Sequence, residues 1–480
     1  MKKKVISMLL ATTMVASLLA GCGEAAAPAA DAAAPAAQEE TEEAAEEVAD
    51  EGAEAQDAGE GSVYMLNFKP ETDDVWQELA ATYTEQTGVD VTVLTAADGT
   101  YDTTLTSEMA KTEAPTIFNV GNSAAAQTWN DYTYDLSATS LYDALTDKSL
   151  VLEYDGKVAA VANCYECYGI IYNKTILADY CAMDGAVVKS IDEINNFDTF
   201  KAVCEDINSR VDEINDALGT NLTEAFASSG LDDSSSWRFS GHLAGLALYY
   251  EFKDAGCDLI GGQSPIEGKY LDQFKNVWDN YVATSAENPK TLTSGATNAE
   301  QELGMGEAVF YQNGDWEYSA FANPDNGYDV TGDDIAMMPI YFGVDDEHEG
   351  LAVGTENFWA INSQAGDANV QASIDFLDWV ISSDEGRDAI TNKMGLSAPF
   401  NTFTGEFAST NKLAACANEY AAKGCTSVAW SFNATPNVDD WRAGVVAGLV
   451  EYTCNGGSWD SVTSAFVDGW AEQWALAHEE

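Results

Sequence analysis

Cysteine, histidine and arginine are the residues whose spacing decides what chemistry this sequence can do. Cys164-Tyr165-Glu166-Cys167 is the one close pair among the eight cysteines that follow Cys22. A zinc or redox centre built on such a pair wants a second pair or histidines nearby. His242, His348 and His478 are scattered, and no compact carboxylate cluster offers an oxygen cage. The pair therefore reads as free or structural thiols, and no metal or cofactor is expected. Beyond the N-terminal lysines the only arginines are Arg210, Arg238, Arg387 and Arg442. Few guanidinium forks are available for a strongly anionic ligand, which favours a neutral one. The formal net charge of −59 argues against nucleic acid and against an anionic membrane surface as partners. Most of that charge reads as solubility.

The elements that must position such residues are visible as periods. Val63 to Phe68 reads as a strand, and Asp73 and Asp74 open a helix carrying Val75, Trp76, Leu79, Ala80 and Tyr83 on one side. Gly88 stops it, Val89, Val91 and Val93 alternate as a strand, and a helix over Thr103–Lys111 leads to a third strand at Pro115–Val120. Strand, helix, strand, helix, strand signals an α/β fold with a parallel sheet. Ligands then bind beyond the carboxyl ends of the strands, here Asn67-Phe68-Lys69-Pro70 and Asn119-Val120-Gly121-Asn122. Helical patterns follow at Phe239–Phe252, Tyr270–Val282 and Val370–Met394, and a last helix carries Trp459, Val462, Phe466, Trp470 and Trp474. The length from Ser62 onward suggests two lobes.

The N-terminus has a different character. Lys2, Lys3 and Lys4 precede an apolar stretch that ends in Leu18-Leu19-Ala20-Gly21-Cys22. This is the layout of a secretory signal over residues 1–21. It resembles the bacterial lipobox, in which the Cys is acylated and becomes the mature N-terminus. That makes Cys22 the candidate lipidation site and membrane anchor. Residues 23–60 lack Lys, Arg and aromatic residues, so 22–60 reads as a lipidated Cys followed by an acidic tether. Export would permit disulfides among the later cysteines, with no pairing legible from the sequence.

Tyr168-Gly169-Ile170-Ile171-Tyr172-Asn173-Lys174 closely resembles the GI-x-YNK segment of family 1 extracellular solute-binding proteins, the maltose-binding-like group. Phe310-Tyr311-Gln312-Asn313-Gly314-Asp315-Trp316 is similar to the NGPW segment of that family. Gly354 to Asn362 resembles its later glycine-to-Ile-Asn strand, Phe376 to Gly386 its helix ending in Glu-Gly, and Trp470 to Trp474 its C-terminal helix. Five such pieces in order, behind a lipobox, are together specific.

The resemblance implies two α/β lobes joined by crossing segments, with a hinge and an interlobe ligand cleft. One lobe would take 61–166 and 341–394, the other 167–340 and 395–480. It implies a monomeric binding protein that hands a carbohydrate, most simply a neutral oligosaccharide, to the permease subunits of an ABC importer. By position in the family's segments, Glu166, Trp316 and Trp441 would contact ligand. Asp315, standing where the family often has Pro, would add a hydroxyl acceptor. Asn67, Phe68, Asn122, Trp237 and Arg238 are placed near the ligand by topology or loose alignment. A sugar needs flat rings for its C–H faces and planar amides or carboxylates for its hydroxyls, and it needs no catalytic group if nothing reacts. Two other readings stay open. One is a polyamine or other small solute, which the acidic excess would suit. The other is a glycoside-active enzyme, which also combines rings and carboxylates.

Overall fold

The computed structural model describes residues 61–477, apart from 97–99, 147, 149, 287–291 and 293–294. The expected signal, Cys22, the tether and His478 lie outside the described residues. Two mixed sheets organise the chain. The strands of its first half are β1 (Ser62–Asn67), β2 (Asp90–Thr95), β3 (Ile117–Val120), β4 (Val151–Tyr154), β5 (Lys157–Ala162) and β6 (Glu166–Asn173). The rest are β7 (Phe226–Ala227), β8 (Phe310–Gly314), β9 (Ile335–Met338), β10 (Glu349–Gly354), β11 (Phe358–Ile361) and β12 (Thr426–Ala429).

The first lobe is built on the sheet β2-β1-β3-β11-β5-β4. β1 pairs in parallel with β2 and β3, as strands joined by helices must. β2 shows the simplest half-buried pattern: Val91 and Val93 point inward while Asp90 and Thr92 face solvent. The helix Asp73–Thr87 buries Trp76, Leu79, Ala80 and Tyr83, and Gly88 ends it in the left-handed region at φ 81°. With the helix Asp367–Ser382 it covers one face of the sheet, where Trp76 and Tyr83 pack against Trp359 and Phe376. The second lobe has the sheet β12-β10-β6-β8-β7, with β9 also paired to β6. Its largest core includes Phe200, Trp278, Tyr281, Trp441, Phe466 and Trp470. The helices Val438–Cys454 and Asp460–Ala477 approach closely at Gly448, where an added Cβ would lie 2.9 Å from the Val462 Cα.

The chain crosses between the lobes three times, and two crossings fall later than expected. The first joins β5 to β6. The second was expected at 341, but β10 pairs with β6 through Gly354↔Glu166, so 341–354 belongs to the second lobe and the crossing is Thr355–Asn357. The third was expected at 395. Phe400 and Phe403 instead pack into the first core, and Pro399 O accepts the Thr146 N–H. That strap reaches the second lobe at Asn411, whose amide donates to Asp315 O at 2.8 Å.

Candidate functional site

The strand ends and the crossings converge on one cavity of about 420 Å³. The first lobe supplies Phe68, Lys69, Pro70 and Glu71, the loop that follows β1. The second crossing supplies Glu356 and Asn357, and the second lobe supplies Glu166 at the start of β6 with Trp237, Arg238, His242, Glu300, Trp316, Glu317, Ser319, Ala320 and Trp430. A volume in the range of ordinary ligand pockets, walled by rings and a few polar groups, is the form a small-molecule site takes.

Each ring is held for a local reason. Trp316 follows β8, and its ring lies flat on Gly314: a Cβ there would come within 2.2 Å of the ring. Trp430 follows β12 and lies against Gly354 in the same way, at 2.5 Å. Trp237 anchors its indole N–H on Ser234 O at 3.0 Å and takes the Arg238 guanidinium on its face at 4.0 Å. Tyr168 stacks on His242 with centroids 3.6 Å apart and planes 4° from parallel. Burial, with Arg442 and Arg238 nearby, holds His242 well below its ordinary range, so it is a neutral flat support. Trp237 and Trp316 stand 5.8 Å apart, each tilted toward the other.

The polar groups are equally constrained. Lys69 Nζ lies 2.6 Å from Glu166 Oε1 and 5.9 Å from the centre of the Trp316 ring. Burial works against its charge, but Glu166 and Glu71 outweigh that and hold the ammonium above its ordinary range. The pair ties the first lobe to the start of β6. Asp315 is buried behind the cavity rather than in its wall, with Oδ1 accepting the Cys167 N–H at 3.2 Å. Burial and the neighbouring Glu166 push its carboxyl well above the usual range. Several buried polar atoms of the wall have no hydrogen-bond partner: Trp430 Nε1, Arg238 Nε and Asn357 Oδ1. Buried polar atoms are normally paired, so an unpaired set around one cavity is what a hydrogen-bonding ligand would complete.

Of the residues singled out in the sequence, Glu166, Trp316, Trp237, Arg238 and Phe68 meet at this cavity. Asn122 does not. It caps the helix Ser123–Thr128 by accepting the Ala125 N–H and lines a neighbouring cavity of about 110 Å³. Asn67 is buried beneath the loop, its amide donating to Lys69 O at 2.9 Å and to Thr95 Oγ1 at 3.2 Å. Trp441 is a correction. It lies in the core of the second lobe, edge-on to Phe466 and Trp470, with its indole N–H on Phe466 O at 3.0 Å. The same helix reaches the small cavity through Val438, Asp439 and Arg442 instead. Trp430, Lys69, His242, Glu300 and Glu317 were missed. The one signal for Trp430 was its position just past a strand.

Two sheets, three crossings and a ring-walled cavity at their junction define a two-lobed ligand-binding protein. The model of the bacterial extracellular solute-binding protein family matches residues 78–415, and the chain belongs to that family. No curated protein sequence matches it. Among solved structures it is similar to a family 1 extracellular solute-binding protein from Bifidobacterium longum subsp. infantis, at 19% identity and TM-score 0.58, over 87% of this chain and 100% of that one. It is similar to a chitin oligosaccharide binding protein at 15% identity and TM-score 0.64, over 87% and 100%. It is also similar to the maltose-bound MalE3 of T. maritima at 15% identity and TM-score 0.60, over 86% and 99%. At such identities these likenesses speak for the fold.

Proposed function

We propose that this chain captures an oligosaccharide in the interlobe cavity and hands it, unreacted, to the permease subunits of an ABC importer. In this reading an acylated Cys22 holds the protein at the outer face of the membrane and residues 23–60 act as the tether. The observation that carries the reading is the cavity wall. Trp237 and Trp316 offer ring surface to sugar C–H groups, Trp430 is buried beside them, and the unpaired atoms around them include donors and acceptors. Hydroxyls are both donors and acceptors and complete such a set better than an apolar or purely cationic solute. A chitin oligosaccharide binding protein and a maltose-bound protein of the same fold support a sugar. Glu166 is bound to Lys69, which suits ligand positioning.

The test is a calorimetric titration of the protein from residue 61 onward with trisaccharides of glucose, N-acetylglucosamine, xylose and galactose, each followed by mass spectrometry of the recovered sugar. Saturable one-site binding of at least one sugar, recovered intact, is expected. Cleavage of a bound sugar would move the protein to the glycoside-active class.

A further inference from the structure

The carboxyls of the cleft are not matched by its cations. Lys69 is taken by Glu166 and Glu71, Arg238 lies on the Trp237 ring, and Arg442, at the neighbouring cavity, lies 3.4 Å from Glu356. Among the described residues Glu300 and Glu317 have no ion-pair partner, although both line the cavity. Glu317 follows Trp316 and is 8% exposed. Its Oε1 accepts from the Asn313 amide, and its other partner is the Glu300 carboxyl, with which it shares a hydrogen bond. Glu300 is oriented by the Tyr328 hydroxyl at 2.7 Å. Two adjoining carboxyls cannot both ionise cheaply in a buried wall, so the empty pair holds a proton unless a counter-charge reaches it. The adjoining rings already receive cations on their faces, Lys69 on Trp316 and Arg238 on Trp237.

We propose that the Glu300–Glu317 wall is a recognition site for an ammonium group, so that the oligosaccharide this cleft takes carries a free amino group. The proposal rests on the oligosaccharide reading and narrows it. A primary ammonium has three donors, enough to meet Glu317 Oε2 and Glu300 while the sugar ring lies on Trp316. Hydroxyl oxygens of the same ligand can accept from Trp430 Nε1 and Arg238 Nε, the two orphan donors. The groups facing Glu317 are Glu300, Arg238, Tyr168, Tyr311 and Tyr328. Burial and then Glu300 raise its carboxyl to about 8, and Arg238 only partly opposes them. At pH 6.5 it is therefore protonated when the site is empty. An incoming ammonium favours the ionised form, and binding should release a proton.

The experiment titrates three probes at pH 6.5 in two buffers of different ionisation enthalpy: the glucosamine trimer, its fully N-acetylated counterpart, and spermidine. The amino trimer should bind at least about tenfold more tightly than the acetylated one, with proton release seen for the amino trimer alone. Glu317→Gln should bring the two trimers to within about threefold of each other and abolish the proton release. Glu300→Gln provides the same comparison if the first variant does not fold. Equal or tighter binding of the acetylated trimer, or no proton release with the amino trimer, overturns the ammonium site and leaves the oligosaccharide reading standing. Binding of spermidine alone does the reverse. Binding of none of the three overturns both.

Discussion

Gly314→Ala separates the ring architecture of the cleft from everything else in the protein. The glycine has φ −94° and ψ 173°, a conformation alanine adopts freely, so the backbone does not resist the change. The added Cβ would sit 2.2 Å from the far edge of the Trp316 ring, and ordinary contact begins near 3.4 Å. The difference, about 1.2 Å, is the least the ring must retreat. Trp316 is half-buried, so it can retreat into the cleft without tearing the core. A stacking ring moved by this much loses its contact with the sugar face. Loss of an aromatic anchor of this kind costs about 2 kcal/mol, or roughly thirtyfold in affinity. The melting temperature should move by only a few degrees. The assay is paired calorimetric titration and thermal melting of Gly314→Ala, Trp316→Ala and the double variant. Because both substitutions act on one ring, Gly314→Ala should have little further effect in the Trp316→Ala background. Unchanged affinity in Gly314→Ala, or full additivity in the double variant, would refute the reasoning.

Trp441→Ala should behave as a core truncation, losing about 3–5 kcal/mol in urea unfolding, while the remaining folded protein binds sugar as the parent does. Glu317 carries a stability signature in pH. Because its folded carboxyl is raised from an ordinary 4.5 to about 8, the native state holds an extra proton between those values. Its contribution is therefore most favourable below 4.5 and declines as pH rises toward 8. The melting temperature of Glu317→Gln relative to the parent should climb across pH 5 to 8, and a flat difference would contradict the assignment. Cys22→Ser should release the protein from the membrane fraction or leave the precursor uncleaved; a membrane-bound, mature Cys22→Ser protein would rule out the anchor.

Periodicity made the first lobe legible. The Trp76, Leu79, Ala80, Tyr83 spacing and the Val91, Val93 alternation correspond to the helix and strand that are observed, because burial acts directly on those periods. Lobe boundaries were less legible. β10 joins the second sheet through pairing with Tyr168 and Cys167, and pairing partners leave no mark in local sequence. The strap at 395–407 leaves no local mark of its lobe for the same reason: Phe400 packs on Trp359, a residue some forty positions earlier. Trp441 carries a signal for the core. With Val445 and Leu449 it recurs every four residues on one helix face, the period of a core stripe. Trp430 lies in a short segment without a period. Its role comes from Gly354 on a neighbouring strand, which leaves room for the ring. Glu300 and Glu317 meet only in the fold, and nothing in a sequence so rich in carboxylates sets them apart.

The structure of the protein in complex with an oligosaccharide it binds would show whether the cavity between the lobes is the sugar site. One ligand is expected in the cavity between the lobes, with a sugar ring on Trp316 and hydroxyls on Trp430 Nε1, Asn357 Oδ1 and the Lys69–Glu166 pair. A sugar bound outside that cavity, or one leaving these atoms unpaired, would contradict that expectation.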